Sequence, residues 1–149
     1  TSADITNSFS ADSNMFKPLI TDTSKDFQIS EVSADAAYLS KNNVSLVNEL
    51  GGVPYIMPKS NTQLKSRGNL KWKEMITLWK KNEPEFRRHY HLRSNVESTF
   101  SMMKRKFSDY LKSRNDQSQK NEILCKVVCH NISVLVSGIF ELDLKFEWN

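Results

Sequence analysis

Four side chains that could bind phosphate or a metal ion occur at helical spacing in the middle of the chain: Tyr90, Arg93, Glu97 and Lys104. At about 100° per residue, they fall within an arc of roughly 60° on a helix covering residues 86–107. The helix therefore presents one carboxylate flanked by two cations and a phenol. Carboxylate oxygens suit divalent metal ions, and Arg and Lys can bind phosphates beside them. The alternative is a surface ion pair between Arg93 and Glu97, which is common and weak at this spacing.

One long helix is predicted to carry these residues. Pro84 suits a first helical turn, and helical periodicity continues from about Glu85 to Leu111. The apolar residues of this helix share an arc about 80° wide. They are predicted to form its buried stripe, which consists of Leu92, Val96, Phe100, Met103 and Phe107.

The charge of the chain is unevenly distributed. The net charge is +4 over 149 residues, but residues 59–114 hold fifteen lysines and arginines against five acids. Aromatic residues are interleaved with these cations, as in proteins that bind a phosphate backbone. A basic face that binds nothing is the alternative, because many soluble proteins have one.

Composition excludes several classes of protein. Apolar residues make up 38% of the chain and charged residues 26%, which is enough for one core. The longest mostly apolar stretch, Ile132 to Phe140, is far shorter than the roughly 20 residues that a bilayer requires, so we expect no membrane contact. Two cysteines cannot form a disulfide framework, which favours a cytoplasmic location.

The first third of the chain is predicted to alternate helices and strands. The predicted elements are a strand end at 1–10, a helix from Asp12 or Ser13 to Ile20, a polar turn at 21–26, a strand at 27–32, a helix at 36–50 and a strand at 53–57. Gly51 and Gly52 should end the second helix. Strands joined by a helical crossover pair in parallel, which predicts an α/β fold with a short sheet. Helices at 71–81 and 120–142 complete a helical carboxyl-terminal half.

The spacing Tyr90-x2-Arg93-x3-Glu97-x6-Lys104 resembles the Tyr-Arg-Glu-Lys signature of prokaryotic insertion-sequence transposases of the DDE type. The run His89-Tyr90-His91-Leu92-Arg93-Ser94-Asn95-Val96-Glu97 and the following Lys104-Arg105-Lys106-Phe107 resemble one branch of that family. Residues 34–40, 53–61 and 129–131 resemble further family segments in the same order. The resemblance thus covers nearly the whole chain.

This resemblance implies a ribonuclease H-like fold, with three acids that hold Mg²⁺ or Mn²⁺ for DNA cleavage and transfer. By position, Asp35 matches the second aspartate and Glu97 matches the glutamate. Asp35 also follows a predicted strand, where ligand sites form in α/β sheets, although capping the next helix is an alternative role. We expect folding to bring these two carboxylates together. The resemblance implies DNA contact for Tyr90, Arg93 and Lys104, and two more candidates are Arg105 and Lys59.

One departure from the family concerns its first catalytic aspartate, which belongs to an opening strand. Asp4 and Asp12 lack that context, and the chain begins with Thr1. We therefore expect one domain over residues 1–149, corresponding to the carboxyl-terminal half of the catalytic domain. Metal binding should be weak, and the fragment inactive or nearly so. The expected partner is double-stranded DNA at transposon ends and target, and a second copy of the chain is a further candidate.

Two other classes of function stay open on sequence grounds. One is a non-catalytic module, derived from a transposase, that binds nucleic acid or protein. The other is a structural α/β domain with an unused basic face.

Several further residues are predicted to have structural roles. Cys125 and Cys129 should pack as core residues rather than bind zinc with His130. His89 and His91 should be exposed to solvent, and contact with DNA phosphate is the alternative. Trp72 and Trp79, seven residues apart, should pack on one helical face.

Overall fold

A computed structural model describes residues 12–64 and 68–141. The chain divides into two compact units, Thr1–Ser94 and Asn95–Asn149. The single domain predicted over residues 1–149 stays a prediction. The strand end predicted at residues 1–10 lies outside the described residues.

The described part of the first unit consists mainly of four helices and two strands. In chain order they are α1 (Phe16–Asp26), β1 (Glu31–Ala34), α2 (Lys41–Glu49), β2 (Val53–Ile56), α3 (Leu70–Lys81) and α4 (Glu83–Tyr90). Short 3₁₀ turns occupy Asp12–Met15, Ala36–Tyr38 and His91–Arg93. The predicted α/β class, with a short sheet and a helical carboxyl-terminal half, is confirmed.

The two strands pair in parallel, with Glu31 opposite Val53 and Ala34 opposite Ile56. Helix α2 forms the crossover between them, as predicted from the order of elements. Gly51 follows α2 with φ +84°, a left-handed conformation that glycine adopts without steric cost. At Gly52 a Cβ atom would lie 2.9 Å from the Ile29 side chain. These two glycines therefore permit the tight return of the chain from α2 into β2.

One apolar core joins the sheet to its covering helices. Its buried residues come from α1, both strands, α2, α3 and α4: Phe16, Ala34, Val44, Val47, Tyr55, Ile56, Met75, Ile76 and Phe86. Full burial of side chains such as Phe86 and Ile56 contributes roughly 1.5–3 kcal/mol each. Trp72 and Trp79 pack against this core from α3, as predicted. The core thus fixes α4 against the two strands.

The amino-terminal elements begin and end at other residues than predicted. Helix α1 continues to Asp26, through the residues predicted as a polar turn. Within this part of the helix, Lys25 forms an ion pair with Asp22, one turn earlier, at 2.9 Å. The N-cap position of the helix is Met15, without a side-chain cap bond, so α1 begins later than the start predicted at Asp12 or Ser13. Residues 27–30 lie outside β1, because the strand runs only where β2 pairs with it. The polar residues 21–26 therefore belong to a largely exposed helix rather than to a turn.

The helix predicted at residues 36–50 is divided. A 3₁₀ turn covers Ala36–Tyr38, and α2 begins at Lys41. The hydroxyl of Ser40 accepts a hydrogen bond from the Asn43 backbone N–H at 3.0 Å, which defines this start. Asp35 makes no side-chain cap bond, so its alternative role as a cap for this helix is not observed.

The long helix predicted at residues 85–111 is also divided, by the 3₁₀ turn at His91–Arg93. Pro84 lies in the first turn of α4 as predicted, and the next helix, α5, covers Ser94–Phe107. The tighter turn changes the angular phase of Leu92 relative to the stripe residues on α5. Met103 is buried, whereas three other members of the stripe are about half exposed: Leu92 (49%), Val96 (57%) and Phe100 (54%).

The described part of the second unit consists of α5 and α6 (Asp116–Glu141) and the turn between them. Side chains of α6 hold this turn through hydrogen bonds to its backbone. The Glu122 carboxylate accepts backbone N–H bonds from Lys112 at 3.0 Å and Ser113 at 2.9 Å. Lys126 donates to the Tyr110 carbonyl at 2.8 Å and pairs with Glu122 at 3.4 Å. Ser108 adopts φ 68° at the start of this turn. These bonds satisfy backbone groups that would otherwise depend on water.

Helix α6 is more apolar and more exposed than the sequence predicted. Its exposed apolar residues are Leu124, Val128, Ile132, Val134, Leu135, Val136 and Phe140. An 18-residue window of α6 reaches a mean hydropathy of 1.8, so by length and composition alone this helix could cross a bilayer. The expectation that no segment is long enough was therefore wrong. Cys125 and Cys129 are exposed rather than core residues, whereas His130 is buried.

Candidate functional site

The candidate site begins at Asp35, the residue that follows β1. Its backbone is still extended, with φ −68° and ψ 162°. Because β1 and β2 run in parallel, Asp35 lies at the carboxyl end of the sheet, where α/β folds place ligands. Its side chain is half exposed, at 48%. The carboxylate can therefore meet both solvent and a ligand.

Two residues of the sequence signature contact this carboxylate. Tyr90, the last residue of α4, donates its hydroxyl to Asp35 Oδ1 at 3.0 Å. Arg93, the last residue of the following 3₁₀ turn, donates from Nη1 to Asp35 Oδ2 at 3.2 Å, and its Nε lies 3.2 Å from Oδ1. The guanidinium thus engages both carboxylate oxygens. The structure brings together three of the predicted site residues within the first unit.

The electrostatics of the site follow from these contacts. Burial raises the pKa of Tyr90, and the hydrogen bond to Asp35 raises that pKa further. Arg93 opposes this change, since its guanidinium carbon lies 5.7 Å from the centroid of the Tyr90 ring. Such a cation–π contact also limits where the guanidinium can point. Tyr90 therefore stays a neutral donor around neutral pH.

His89, immediately before Tyr90 on α4, contacts both strands of the sheet. Its Nδ1 lies 2.7 Å from Glu31 Oε2 on β1, and its Nε2 lies 3.2 Å from Glu85 Oε1 on α4. The His89 ring stacks on the Tyr55 ring of β2, with centroids 4.4 Å apart. Hydrogen bonds from Arg88 and then His89 lower the pKa of Glu85. The expected solvent exposure of His89 was wrong, and that of His91 is confirmed.

Sequence patterns gave no signal for this role of His89. Its partner Glu31 lies 58 positions away, and no local spacing connects an imidazole on α4 with a carboxylate on β1. Only the packing of α4 across the parallel strands makes them neighbours.

The remaining predicted residues lie elsewhere. Lys59 is exposed just after β2, in the first unit. Glu97 is exposed in the first turn of α5, and Lys104 and Arg105 are exposed in its last turn, all in the second unit. A common metal ion for Asp35 and Glu97, and the Arg93–Glu97 surface pair, stay predictions.

The described side chains do not form a complete metal site. Within residues 12–64 and 68–141, no group of three His, Cys, Asp or Glu side chains is placed to hold a metal ion. Asp35 provides one carboxylate, and Tyr90 and Arg93 already engage both of its oxygens. A divalent ion would compete with the guanidinium for them.

The short parallel sheet with covering helices is consistent with a partial ribonuclease H-like α/β fold, and it carries an acid at the carboxyl end of β1. The family model described as the transposase DDE domain matches residues 1–132, so the chain belongs to this family. Neither a search of curated proteins nor a search of solved structures gave a match. Family membership connects the chain with DNA transposition and with a transposase as the parent enzyme.

Proposed function

We propose that this chain is the carboxyl-terminal part of the catalytic domain of an insertion-sequence transposase. The parent enzyme cuts and joins DNA strands at the transposon ends, in the cytoplasm of a prokaryote. The observation that carries the proposal is the contact of Asp35 with both Tyr90 and Arg93. These residues lie 55 and 58 positions from Asp35, yet they are the ones that the signature associates with the cleaved phosphate.

The contact supports a division of roles between the residues. Asp35 and Glu97 are the candidate catalytic acids and metal ligands. Tyr90 and Arg93 are the candidate phosphate contacts, because a phenol and a planar guanidinium both donate to phosphate oxygens. Arg93 already makes a two-oxygen contact with a carboxylate, and the same geometry suits a phosphate.

Surface charge supports duplex DNA as the partner. Residues 59–114 carry a net charge of +10. Lys104 and Arg105 are exposed at the end of α5, and Lys59 is exposed after β2. Each cation that neutralises a backbone phosphate releases counterions, so the affinity should depend steeply on salt.

Catalysis by the isolated chain should be absent or very weak. Two carboxylates, Asp35 and Glu97, are fewer than the three acids of the family. Hard divalent ions need several oxygen ligands, so Mg²⁺ or Mn²⁺ should bind this chain weakly. A purified chain with Mg²⁺-dependent strand cleavage that disappears in Glu97→Gln would overturn this part of the proposal.

Salt-dependent duplex binding tests the DNA role. The paired substitution Arg93→Ala and Lys104→Ala should reduce affinity at least tenfold and lower the slope of log K against log salt by about 2, at roughly 0.9 per phosphate contact. The control pair, Lys80→Ala and Arg87→Ala, removes the same charge from exposed positions of α3 and α4. Equal losses of duplex affinity in both pairs would mean that DNA binds the basic surface without a specific contribution from Arg93 and Lys104.

A non-catalytic binding module is the second candidate function. The observation that favours it is the contact of Arg93 with both oxygens of Asp35, because a carboxylate paired with a guanidinium is less available to a metal ion. The two functions differ in the parent protein: a transposase requires a third acid on a strand and loses cleavage with Asp35→Asn. A parent that binds duplex DNA without cleaving it under any metal condition would support the module.

A further inference from the structure

His89 connects three elements of the first unit through a half-buried ring. Its two nitrogens face carboxylates on different elements, Glu31 on β1 at 2.7 Å and Glu85 on α4 at 3.2 Å. Tyr55 of β2 stacks on the ring with an interplanar angle of 6°. Arg88 Nη2 lies 3.4 Å from Nε2 and is the cation that faces the ring. The imidazole therefore bridges α4 and the sheet.

The number of N–H groups on the His89 ring depends on its protonation state, and this number decides how many carboxylates the ring can contact as a donor. A neutral imidazole has one N–H and can donate to one carboxylate, whereas an imidazolium donates to both. Hydrogen bonds between charged partners are about twice as strong as neutral ones. Arg88 opposes the imidazolium, and the two glutamates favour it. Donation from both ring nitrogens to the two glutamates therefore requires a protonated His89, whereas a neutral ring could donate to Glu31 only and accept from Arg88 at Nε2.

The backbone of His89 is also held. Ser33 of β1 donates its hydroxyl to the His89 carbonyl oxygen at 2.9 Å. The next residue in the chain, Tyr90, then reaches Asp35, two positions beyond Ser33 on the same strand end. The ring contacts and the backbone contact together set the position of the end of α4 along β1.

We propose that His89 is a positioning residue, whose bridge between Glu31 and Glu85 places the Tyr90 hydroxyl on Asp35. When the bridge loosens, the end of α4 separates from β1, and the Tyr90–Asp35 hydrogen bond weakens. The consequence for DNA rests on the proposed function: a displaced Tyr90 would no longer be set beside the bound phosphate.

The test follows the Tyr90 hydrogen bond directly. The chain is labelled with ¹³Cζ-tyrosine, and the Tyr90 resonance is followed between about pH 5 and pH 8, where histidines ordinarily change charge. In the wild-type protein, the Tyr90 resonance should shift across this pH range. In His89→Phe, which keeps an aromatic ring for stacking on Tyr55 but lacks both nitrogens, it should stay at its high-pH position throughout.

Two further variants keep the test decisive. His89→Gln keeps a donor nitrogen but has no ring that can become charged, so it replaces His89→Phe if that variant does not fold. The control is His91→Gln, which removes the exposed neighbouring histidine and should leave the pH response unchanged. The proposal is overturned if either variant at position 89 keeps the wild-type response, or if the response disappears in His91→Gln.

Duplex affinity provides the second measurement. Compared with the wild-type protein, His89→Phe should bind duplex DNA about tenfold more weakly at the lower pH. The difference should be much smaller at the higher pH, because the substitution removes a bridge that only the charged ring completes. The tyrosine resonance needs no DNA. A normal resonance response without any DNA binding would therefore refute the proposed function alone, and the reverse result would refute the role of His89 alone.

Discussion

Tyr90 donates its hydroxyl to the Asp35 carboxylate across 3.0 Å, although the two residues lie 55 positions apart. The bond joins the end of α4 to the end of β1. Both elements belong to the first unit, and its core fixes their packing. This part of the candidate site is therefore assembled by the fold itself, before any DNA or metal ion binds.

The first prediction concerns the contribution of this bond to stability. Tyr90→Phe keeps the ring stacked near Phe86, at 6.3 Å between centroids, and removes only the hydroxyl. We expect a loss of about 1 kcal/mol in the free energy of unfolding, the usual contribution of one hydrogen bond. Urea denaturation at neutral pH measures it. The control Tyr110→Phe changes an exposed tyrosine and should have no effect, so equal losses would contradict a specific role for Tyr90.

The second prediction is that Tyr90 ionises late on raising the pH. Burial first, and then the bond to Asp35, raise its pKa in the folded state. The folded state thus favours the neutral phenol. This contribution to stability is fully present below about pH 10, where an unfolded tyrosine ionises, and is lost as the pH rises through the higher folded-state pKa.

Phenolate absorbance during an alkaline titration measures that ionisation. Tyr90→Phe should remove one late-titrating group, and Tyr55, whose pKa burial also raises, should keep titrating late. Asp35→Asn should lower the Tyr90 pKa only in part, because burial is the larger cause. A complete return of the Tyr90 pKa to its ordinary value in Asp35→Asn would show that burial has little influence.

The third prediction separates two tasks of Asn69. Its Oδ1 caps α3 by accepting from the Trp72 backbone N–H at 2.9 Å. Its amide nitrogen donates to Ser45 on α2 at 2.8 Å and to the Lys41 carbonyl at 3.2 Å. Asn69→Asp should keep the cap but lose the donors, whereas Asn69→Ala should lose both, at a further cost of about 1 kcal/mol.

Thermal and urea unfolding of the two Asn69 variants provide the comparison. Ser40→Ala, which removes only the cap of α2, is the matched single-task control. If Asn69→Ala and Asn69→Asp are equally stable, the cap contributes nothing. If Asn69→Asp equals the wild-type protein, the bonds to α2 contribute nothing.

The fold was predictable where local signals and long-range packing agree. The parallel pair followed from a strand, helix, strand order, and Gly51 marked the end of α2 through its left-handed backbone. The predicted type of element was wrong where polarity was the only signal. Residues 21–26 were predicted as a turn but belong to a helix, because an exposed helix can be polar throughout. The 3₁₀ turn at His91–Arg93 has no composition that distinguishes it from an α-helix.

The candidate site was predictable only for residues with recognisable spacing. Tyr90, Arg93 and Glu97 share a helical arc, and Asp35 follows a strand. The contacts that join Asp35 to Tyr90, and Glu31 to His89, span more than fifty positions, which periodicity cannot reach. Burial was also mispredicted on α6, since hydropathy predicted that Cys125 and Cys129 would be core residues but could not reveal whether another element covers them.

The last prediction concerns acid stability in the second unit. Backbone N–H bonds from Ser113, and then from Lys112, lower the pKa of Glu122 from 4.5 to about 2. Its folded-state pKa is depressed, so its contribution to stability is present above about pH 4.5 and is lost as the pH falls toward 2. Glu122→Gln should therefore lower the melting midpoint at neutral pH by about a few degrees, and this difference should shrink in acid.

Circular dichroism melts of both proteins at neutral pH and at several acidic values check this dependence. Glu74→Gln, which removes the exposed ion pair with Lys71, is the control and should change the midpoint little at any pH, because surface pairs contribute little. A Glu122→Gln difference that persists unchanged below pH 2 would mean that the side chain acts through shape rather than charge. A neutral-pH midpoint in Glu122→Gln equal to that of the wild-type protein would instead mean that Lys126, which donates to the Ser108 and Tyr110 carbonyls, is sufficient to hold the turn.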